Sequence, residues 1–441
     1  MAIVGLRNAN INAGAGTSNP LSMAGQFAPP DIRPRNWRET MLLLYPNSSE
    51  IGKAPLTALT SMMKSESTDD PEFNWFSKQL DDRRVVLTTD IATTGQTALV
   101  VSNVGARANT GAFIVKTGDV LMVEGTGELV RVTADPTTGT GLTVSRGFGG
   151  TTAAVQTFAG NPNLIVVGSA YEEGSNSPSG VNYDPVQFYN YCQIFRNSLE
   201  LTRTASKTRL RTGDAVKEAK RECLEIMSVD MERAFWFGGR ALVTLNGKPC
   251  RSTAGIVNQI KAGNTLAGSC DGVAFVSGSG GCAAPAAGKI TLKWVDDFME
   301  ACFRYGSHEK MAFSGNTPLM AIQQAVRLNT SYQIEYGVKE YGMLVSKLHS
   351  PFGTLVMKTH PLFTQMTAGS AGNLSAGNNI YVLDMDKIKY RYVDDVKYES
   401  DLTAVGLDGM KSGYLAECGL ELQHPNAHFM GTGIISGAKD T

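Results

Sequence analysis

The period of the hydrophobic and polar positions changes several times along this chain, and each change predicts a different element. Between 85 and 170 the runs "RRVVLTT", "TALVVSN", "AFIVKTGDVLMVE", "ELVRVTAD", "LTVSRGF" and "NLIVVGSA" are rich in β-branched residues and are split by Gly, Asn, Asp and Thr. That pattern predicts antiparallel strands and hairpins, with no long helix among them. At 214–238, "DAVKEAKRECLEIMSVDMERAFWFG" switches to a helical period, with Ala215, Ala219, Cys223, Ile226 and Ala234 at near-helical steps. Asp214 is the expected cap and Gly238-Gly239 the expected stop. Such a helix is a rod of ~37 Å, long for a compact enzyme.

Beyond 290 the pattern is mixed. A helix is expected at about 292–305, with Leu292, Val295, Phe298, Met299 and Cys302 on one face. "KMAF" reads as a short strand. "NTPLMAIQQAVRLN" reads as a helix with Thr317 as cap and Pro318 at its first position. "MLVSKLHSPFGTLVMKTH" predicts a strand, a turn at Ser350–Gly353 and a second strand. "NIYVLDMDKIKYRYV" predicts another strand pair, and strand-like runs follow near Glu421-Leu422 and at 428–435. The first 80 residues are poor in regular structure, with short helical pieces at "ETMLLLYP" and "APLTALTSMM". Phe73, Trp75 and Phe76 lie within four residues at the end of this segment and offer aromatic anchors for an arm that wraps over something else.

Candidate chemistry changes this picture little. "SGSGGCAAPAAGKIT" at 277–291 invites a phosphate-binding reading, because a fixed glycine spacing lets backbone N–H groups ring a phosphate. The position that needs the first Gly holds Ala283, Ile290 stands where the hydroxyl belongs, and Pro285 removes a donor. An exposed connecting loop with Thr291 as the next helix cap is the better reading. His424 and His428 are four apart, but Pro425 opposes a zinc-binding helix there, so structural or surface histidines are expected. Asp384/Asp386 and Asp394/Asp395 fail the calcium-loop pattern at Ile388 and Lys389. The glycines of "SRGFGGTT" follow a strand without a helix after them, which reads as a hairpin turn rather than a dinucleotide site. No catalytic residue, cofactor site or metal site is assigned.

Composition narrows the class further. The 441 residues are 42% hydrophobic and only 18% charged, with a net charge of -1. Two or three packed units are expected. Near-neutrality argues against a dedicated nucleic-acid binder, and the low charged fraction suits a surface covered by other chains. No signal peptide and no spanning helix are read. The seven cysteines are scattered and lack a CxxC, so buried or free thiols in a reducing compartment are expected, although Cys270 and Cys282 flank a possible hairpin and could pair. A long loose arm, a strand-rich excursion and one rod-like helix together point to an assembly protein. A nucleotide-dependent enzyme and a β-rich tail or adhesin protein are the alternatives.

Several stretches carry a more specific likeness, in order along about residues 38–436. They are "PLTALTSMMKSESTDDPEFNWFSKQLDDRR", "TGDVLMVEGTGELVRVTA", "LTVSRGFGGTTAA", "YDPVQFYNYCQIFRNSLELTRTA", "PFGTLVMKTHPLF", "IYVLDMDKIKYRYV" and "AECGLELQHPNAHFMGTGI". With them the chain resembles the major capsid proteins of tailed bacteriophages, of the Hong Kong 97-type fold, in the subgroup with a β-rich insertion in the extended loop. The resemblance implies an α+β fold with an N-terminal arm at 1–84 and an extended loop at 85–175. It further implies a peripheral domain at 176–307 that includes the spine helix 214–238, an axial domain at 308–395, and returning strands at 396–441. It implies assembly contacts through Phe73, Trp75 and Phe76 in the arm and through Glu128, Arg131, Arg146 and Phe148 in the extended loop. The implied partners are copies of the chain in hexamers and pentamers, a separate scaffolding protein, a portal protein, a decoration or cement protein, and packaged DNA contacted non-specifically. The implied location is the head shell of a virion, after synthesis in the host cytoplasm.

Overall fold

The computed structural model describes residues 63–78, 83–102, 115–136, 140–156, 163–178, 185–207, 214–329, 334–340, 343–365 and 376–439. The helical pieces expected at "ETMLLLYP" and "APLTALTSMM" lie outside the described residues, apart from Met63. The chain divides into two compact units, one of residues 72–190 and one of the residues on either side. The first boundary therefore falls at Glu72, within the expected arm, and the second at Asn190, past the expected end of the extended loop. The cause is local. The described chain opens with β1 (Lys64–Ser67), and β2 (Glu72–Ser77), which carries the three aromatics, pairs with β9 (Val186–Tyr191).

Between β2 and β9 run β3 (Arg84–Leu87), β4 (Ala98–Ser102), β5 (Asp119–Val123), β6 (Leu129–Ala134), β7 (Gly141–Ser145) and β8 (Asn163–Ser169). The expected strands are present, but they are not independent hairpins. They close into a barrel in the order β3-β4-β7-β6-β5-β8, with every pairing antiparallel. Alternation supplies its core: Val85 and Leu87, Leu99 and Val101, Val130 and Val132, Leu142 and Val144 all point inward and are buried. Closure also removes the free edges that open hairpins would carry. The glycines after β7 are likewise not a hairpin turn. Gly147 and Gly149 adopt left-handed φ of 64° and 66° around a short 3-10 turn, and β8 then pairs with β3 and β5 rather than with β7.

The second unit resumes with β10 (Gln193–Thr202), a short α1 (Arg203–Lys207) and the long α2 (Ala215–Phe237). Asp214 caps α2 by accepting a hydrogen bond from Val216 N–H at 2.9 Å. Gly238 ends it where a Cβ would stand 2.5 Å from the Ala234 carbonyl oxygen. Its buried face is Cys223, Met227, Met231, Phe235 and Trp236, with Glu232 among them. Cys223 is on the expected stripe, but Ile226 is more than half exposed. Packing selects the four-residue row 223-227-231-235, whose long Met and Phe side chains fill the space over the sheet.

Next come the hairpin β11 (Ala241–Leu245) and β12 (Lys248–Ser252), α3 (Ile256–Gly263), β13 (Gly268–Cys270), β14 (Val273–Phe275), β15 (Gly281–Ala283) and β16 (Lys289–Ile290). α4 (Leu292–Phe303) follows, capped by Thr291 Oγ1 and burying Val295, Phe298, Met299 and Cys302 as expected, with Trp294 in addition. Then come β17 (Glu309–Ser314), α5 (Asn316–Asn329), β18 (Ile334–Glu340), β19 (Met343–Ser350), β20 (Gly353–Thr359) and α6 (Pro361–Gln365). α5 begins one residue before the expected cap Thr317, which leaves Pro318 in the first turn, where no backbone donor is needed. The last strands are β21 (Ile380–Leu383), β22 (Ile388–Glu399), β23 (Gly409–Leu422), β24 (Phe429–Thr432) and β25 (Ser436–Gly437).

Two sheets organise this unit: β1-β22-β23-β10, and β15-β24-β21-β17-β20-β19-β18. "NIYVLDMDKIKYRYV" does hold two strands, but they do not pair with each other. β21 lies inside the seven-stranded sheet, and β22 inside the four-stranded one. A 3-10 turn at Met385–Lys387 hands the chain across. α2 packs on β10 and β23 and reaches both sheets through its last turn. Phe235 meets Phe195 and Tyr390 edge-on at 6.1 and 6.0 Å, while Trp236 meets Phe313, Tyr381 and Phe363 at 5.6, 5.5 and 4.9 Å. One turn earlier, Glu232 and the His360 ring form a buried contact between α2 and the end of β20.

The glycine-rich segment 277–291 differs from the exposed loop expected there. Gly281 and Cys282 are buried because β15 pairs in parallel with β24. Cys270 and Cys282 form a disulfide, which corrects the expectation of free thiols at those two positions. Cys270 lies on β13 and Cys282 on β15, with their Cα atoms 6.1 Å apart, a normal span for a bridge. His428 is fully buried and structural. Its Nδ1 accepts from Asp384 N–H at 3.2 Å, Nε2 donates to the Gln423 carbonyl at 3.2 Å, and burial lowers its pKa to about 3.

Gly281 gives the first prediction. A Cβ there would stand 1.7 Å from the Met430 carbonyl oxygen, and the contact is backbone that cannot swing away. Gly281→Ala should lower stability by at least ~2 kcal/mol. Gly239→Ala should be near neutral, because nothing lies within 4 Å of where its Cβ would stand. Thermal melting of the two variants beside the parent checks this.

Candidate assembly surfaces

Four extended-loop residues are assigned to contacts with a neighbouring chain from sequence, and the structure divides them. Glu128 and Arg146 face each other at one end of the barrel. Arg146 Nε and Nη2 donate to Oε1 and Oε2 of Glu128 at 2.7 and 2.6 Å, and the Arg146 and Glu128 side chains are 5% and 1% exposed. Gly147 N–H and Ala154 N–H each donate to the same carboxylate at 3.0 Å. Arg146 also donates to the carbonyls of Ala154, Thr93 and Gln96. Three loops are thereby stapled to one ion pair, and almost no polar atom of the pair is left for a neighbour. The forked geometry of Glu128 and Arg146 is used inside the barrel unit.

Arg131 and Phe148 remain nearer the surface. Arg131 Nε donates to the Ala170 carbonyl at 3.1 Å, and its Nη1 lies 3.8 Å from Glu172. It lines a shallow depression with Thr117, Asp135 and Tyr171. Phe148 is half-buried in the turn after β7.

The arm aromatics also divide. Phe73 is buried, and it stacks near Trp75 at 6.0 Å, which stacks near Phe188 of β9 at 6.1 Å. These contacts give the β2–β9 ribbon an apolar face within one chain. Phe76 points away from them and is 66% exposed, beside a ribbon that also exposes Val186. Of the three aromatics, Phe76 has the most surface left to bury.

β1 is held by charge as well as by backbone pairing. Lys389 Nζ lies 3.0 Å and Arg391 Nη1 2.8 Å from the Glu66 carboxylate, and Arg391 Nε donates to Glu421 at 2.6 Å. The Lys389 hydrogen bond is the largest influence on Glu66 and holds its carboxyl below the usual range.

The β11–β12 hairpin is an apolar surface that the reading of the sequence missed. Leu242, Val243 and Leu245 are each more than half exposed. The signal was present as "ALVTLNGKPC", an alternating run broken by Asn246-Gly247, whose φ of 51° and 74° suit a tight hairpin turn.

The Glu128–Arg146 staple sets a pH prediction. Burial pushes the Glu128 carboxyl up, but the hydrogen bonds from Arg146 and the two amides outweigh it and the net shift is downward. A depressed folded-state pKa means stabilisation that is full above the unfolded value of about 4.3 and is lost as pH falls through the folded value. The barrel strands of the full chain should therefore lose hydrogen-exchange protection below about pH 4. Arg146→Ala, which leaves the buried Glu128 carboxylate with its two amide donors but no counter-ion, should cost ~3–5 kcal/mol at neutral pH, measured as the same loss of protection.

Comparison with known proteins agrees with an assembling chain. The family described as SU10 major capsid protein matches residues 52–434. The major capsid protein of Pseudomonas phage PaMx41 is 29% identical over 372 residues, covering 83% of this chain and 80% of that one. Among solved structures, the capsid of a native GTA particle is similar at a TM-score of 0.43 and 9% identity, covering 96% of this chain and 100% of that one. The capsid of Cyanophage A-1(L) is similar at 0.43 and 9%, covering 92% and 98%. The family match runs through both compact units, from before β1 to just past β24, and on that ground the chain belongs to the SU10 major capsid protein family.

Proposed function

We infer that copies of this chain tile the icosahedral head shell of a phage, in hexamers and pentamers, with the Hong Kong 97-type subunit plan. The observation that carries this is the family match across 52–434. The order of elements supports the finer assignment. The barrel-containing unit of residues 72–190 takes the place of the extended loop, and α2 lying on β10 and β23 takes that of the spine of a peripheral domain. The seven-stranded sheet with α4 and α5 suits an axial domain near capsomer symmetry axes. Its role is structural. A subunit of a closed shell needs heterologous contacts that close into rings, and residues such as Phe76 and Arg131 are available to supply them. A scaffolding protein, a portal, a decoration or cement protein and non-specifically held DNA are the proposed partners, and a net charge of -1 suits a wall around packed DNA.

Expression of the chain with the scaffolding protein of its own phage tests this directly. The expected result is closed particles by electron microscopy and sedimentation, and a chain that stays monomeric in every such condition would overturn it. Phe76→Ser gives a sharper prediction for the arm contact. The isolated subunit should melt as the parent does, because Phe76 is already exposed, while particle yield falls severalfold, since an aromatic anchor is lost from an interface.

A further inference from the structure

The Cys270–Cys282 disulfide sits in a chain that otherwise keeps its thiols. Cys192, Cys223, Cys302 and Cys418 are free and buried, and Cys250 is free and exposed. Burial pushes the Cys192 and Cys418 thiols up to about 12, which keeps them inert. Cys250 has no such cover. An exposed unpaired thiol, an odd total of seven cysteines and the lack of a CxxC mark a chain made in a reducing compartment. Structural disulfides are rare there.

The fold holds each cysteine by contacts of its own. Cys270 ends β13, and the turn after it is pinned to α4. Asp271 N–H donates to Asp297 Oδ2 at 2.8 Å, and Thr291 Oγ1 donates to Asp271 Oδ2 at 2.8 Å. Phe275 of β14 is buried edge-on against Phe429 of β24 at 5.4 Å. On the other side β15 pairs in parallel with β24, which sets Cys282 opposite Gly431. The Ala283 carbonyl accepts from Trp294 Nε1 at 3.1 Å. These contacts need no sulfur–sulfur bond, so a reduced chain can present the two thiols side by side.

The elements that carry the cysteines are themselves short. β13 and β14 form a hairpin of three residue pairs, and the central pair, Ser269 and Ala274, is exposed. β15 is a three-residue strand at the edge of the seven-stranded sheet. A two-stranded hairpin is marginal by itself, and segments with few buried contacts open locally before the core does. A bond from Cys270 to Cys282 ties hairpin and edge strand together across a sequence separation of 12.

We propose that the chain folds as a dithiol and that Cys270 and Cys282 close their bond afterwards, once reductant is lost, as a lock on the β13–β15 margin of the seven-stranded sheet. The oxidant is dioxygen. Each thiol gives up its proton, the pair gives up two electrons, an Sγ–Sγ bond forms, and dioxygen is reduced to hydrogen peroxide. Both cysteines are fully buried, so local opening of the β13–β14 hairpin admits the oxidant. The closed bond is shielded in the same way, and a thiol reductant reaches it only through that opening. The step needs a folded chain and no partner, so it goes beyond the shell reading above and does not depend on it.

A count of thiols against time reads this out. Cells making the full chain are lysed either directly into denaturant with excess N-ethylmaleimide, or in air and held before the same treatment. Mass spectrometry with peptide mapping then counts and places the labels. Chains quenched at lysis should carry seven labels, one per cysteine. Chains held in air should lose those at Cys270 and Cys282 and keep the five on the remaining cysteines. As those two labels disappear, amide exchange in β13, β14 and β15 should slow on the order of a hundredfold, because the bond constrains the open segment. A Cys270→Ala, Cys282→Ala chain should show neither change, and if it does not fold, the time course of the parent decides. A bond already present in chains quenched at lysis would overturn the late closure. Seven labels retained in air, or closure that leaves exchange unchanged, would overturn the lock. None of these outcomes bears on the shell reading, which particle formation by the parent tests separately.

Discussion

Two neighbouring side chains at the end of α2 hold the second unit together. Phe235 and Trp236 are consecutive, so they leave the helix in directions about 100° apart. One enters the core of the four-stranded sheet against Phe195 and Tyr390, and the other enters that of the seven-stranded sheet among Phe313, Tyr381 and Phe363. A residue pair of this kind fixes the helix, the two sheets and their mutual angle at once. Glu232 and His360 repeat the tie one turn away. Edge-on aromatic contacts add ~0.5–1.5 kcal/mol each beyond the area they bury, so several of them around one indole stabilise the junction more than any exposed ion pair of the unit could.

The barrel unit solves a different problem. It is small, and its core is built almost wholly from Val and Leu on alternating strand positions. Such a core packs well but does little to fix the loops at its ends. The Glu128–Arg146 pair does that, with a carboxylate that accepts four hydrogen bonds and a guanidinium that reaches three further carbonyls. Removal of either partner leaves a buried charge without its counter-ion.

Much of this architecture is legible in the sequence where the signal is local. Asp214 and Gly238 mark α2 to within a residue, Thr291 marks α4, and the turn at Ser350–Gly353 joins β19 to β20. What the sequence hides is which distant strand pairs with which. Nothing local to "NIYVLDMDKIKYRYV" says that its halves join different sheets, and nothing local to Gly281 says that Met430 lies against it. Ile226 fits a helical stripe as well as Met227 does, and the face of the sheet decides between them. For the assembly surfaces, residue type alone does not say which charges are already paired within the chain. Glu128 and Arg146 look like interface residues, yet they are used internally, while the apolar hairpin at 241–252 is announced only by an Asn-Gly turn.

The pairing of β1 with β22 also bears on when a subunit comes into being. Lys64 pairs with Lys389, and β10 finds its partner only in β23. During synthesis the barrel strands between Arg84 and Ser169 can close among themselves as soon as they emerge. The four-stranded sheet cannot, because β1 and β10 are made early and both wait for β22 and β23 near the other end of the chain. At ~5–20 residues per second, the interval between making β10 and making β23 is on the order of ten seconds or more. Through that interval the nascent chain lacks a completed four-stranded sheet, so the barrel strands close in a subunit whose second core is not yet formed.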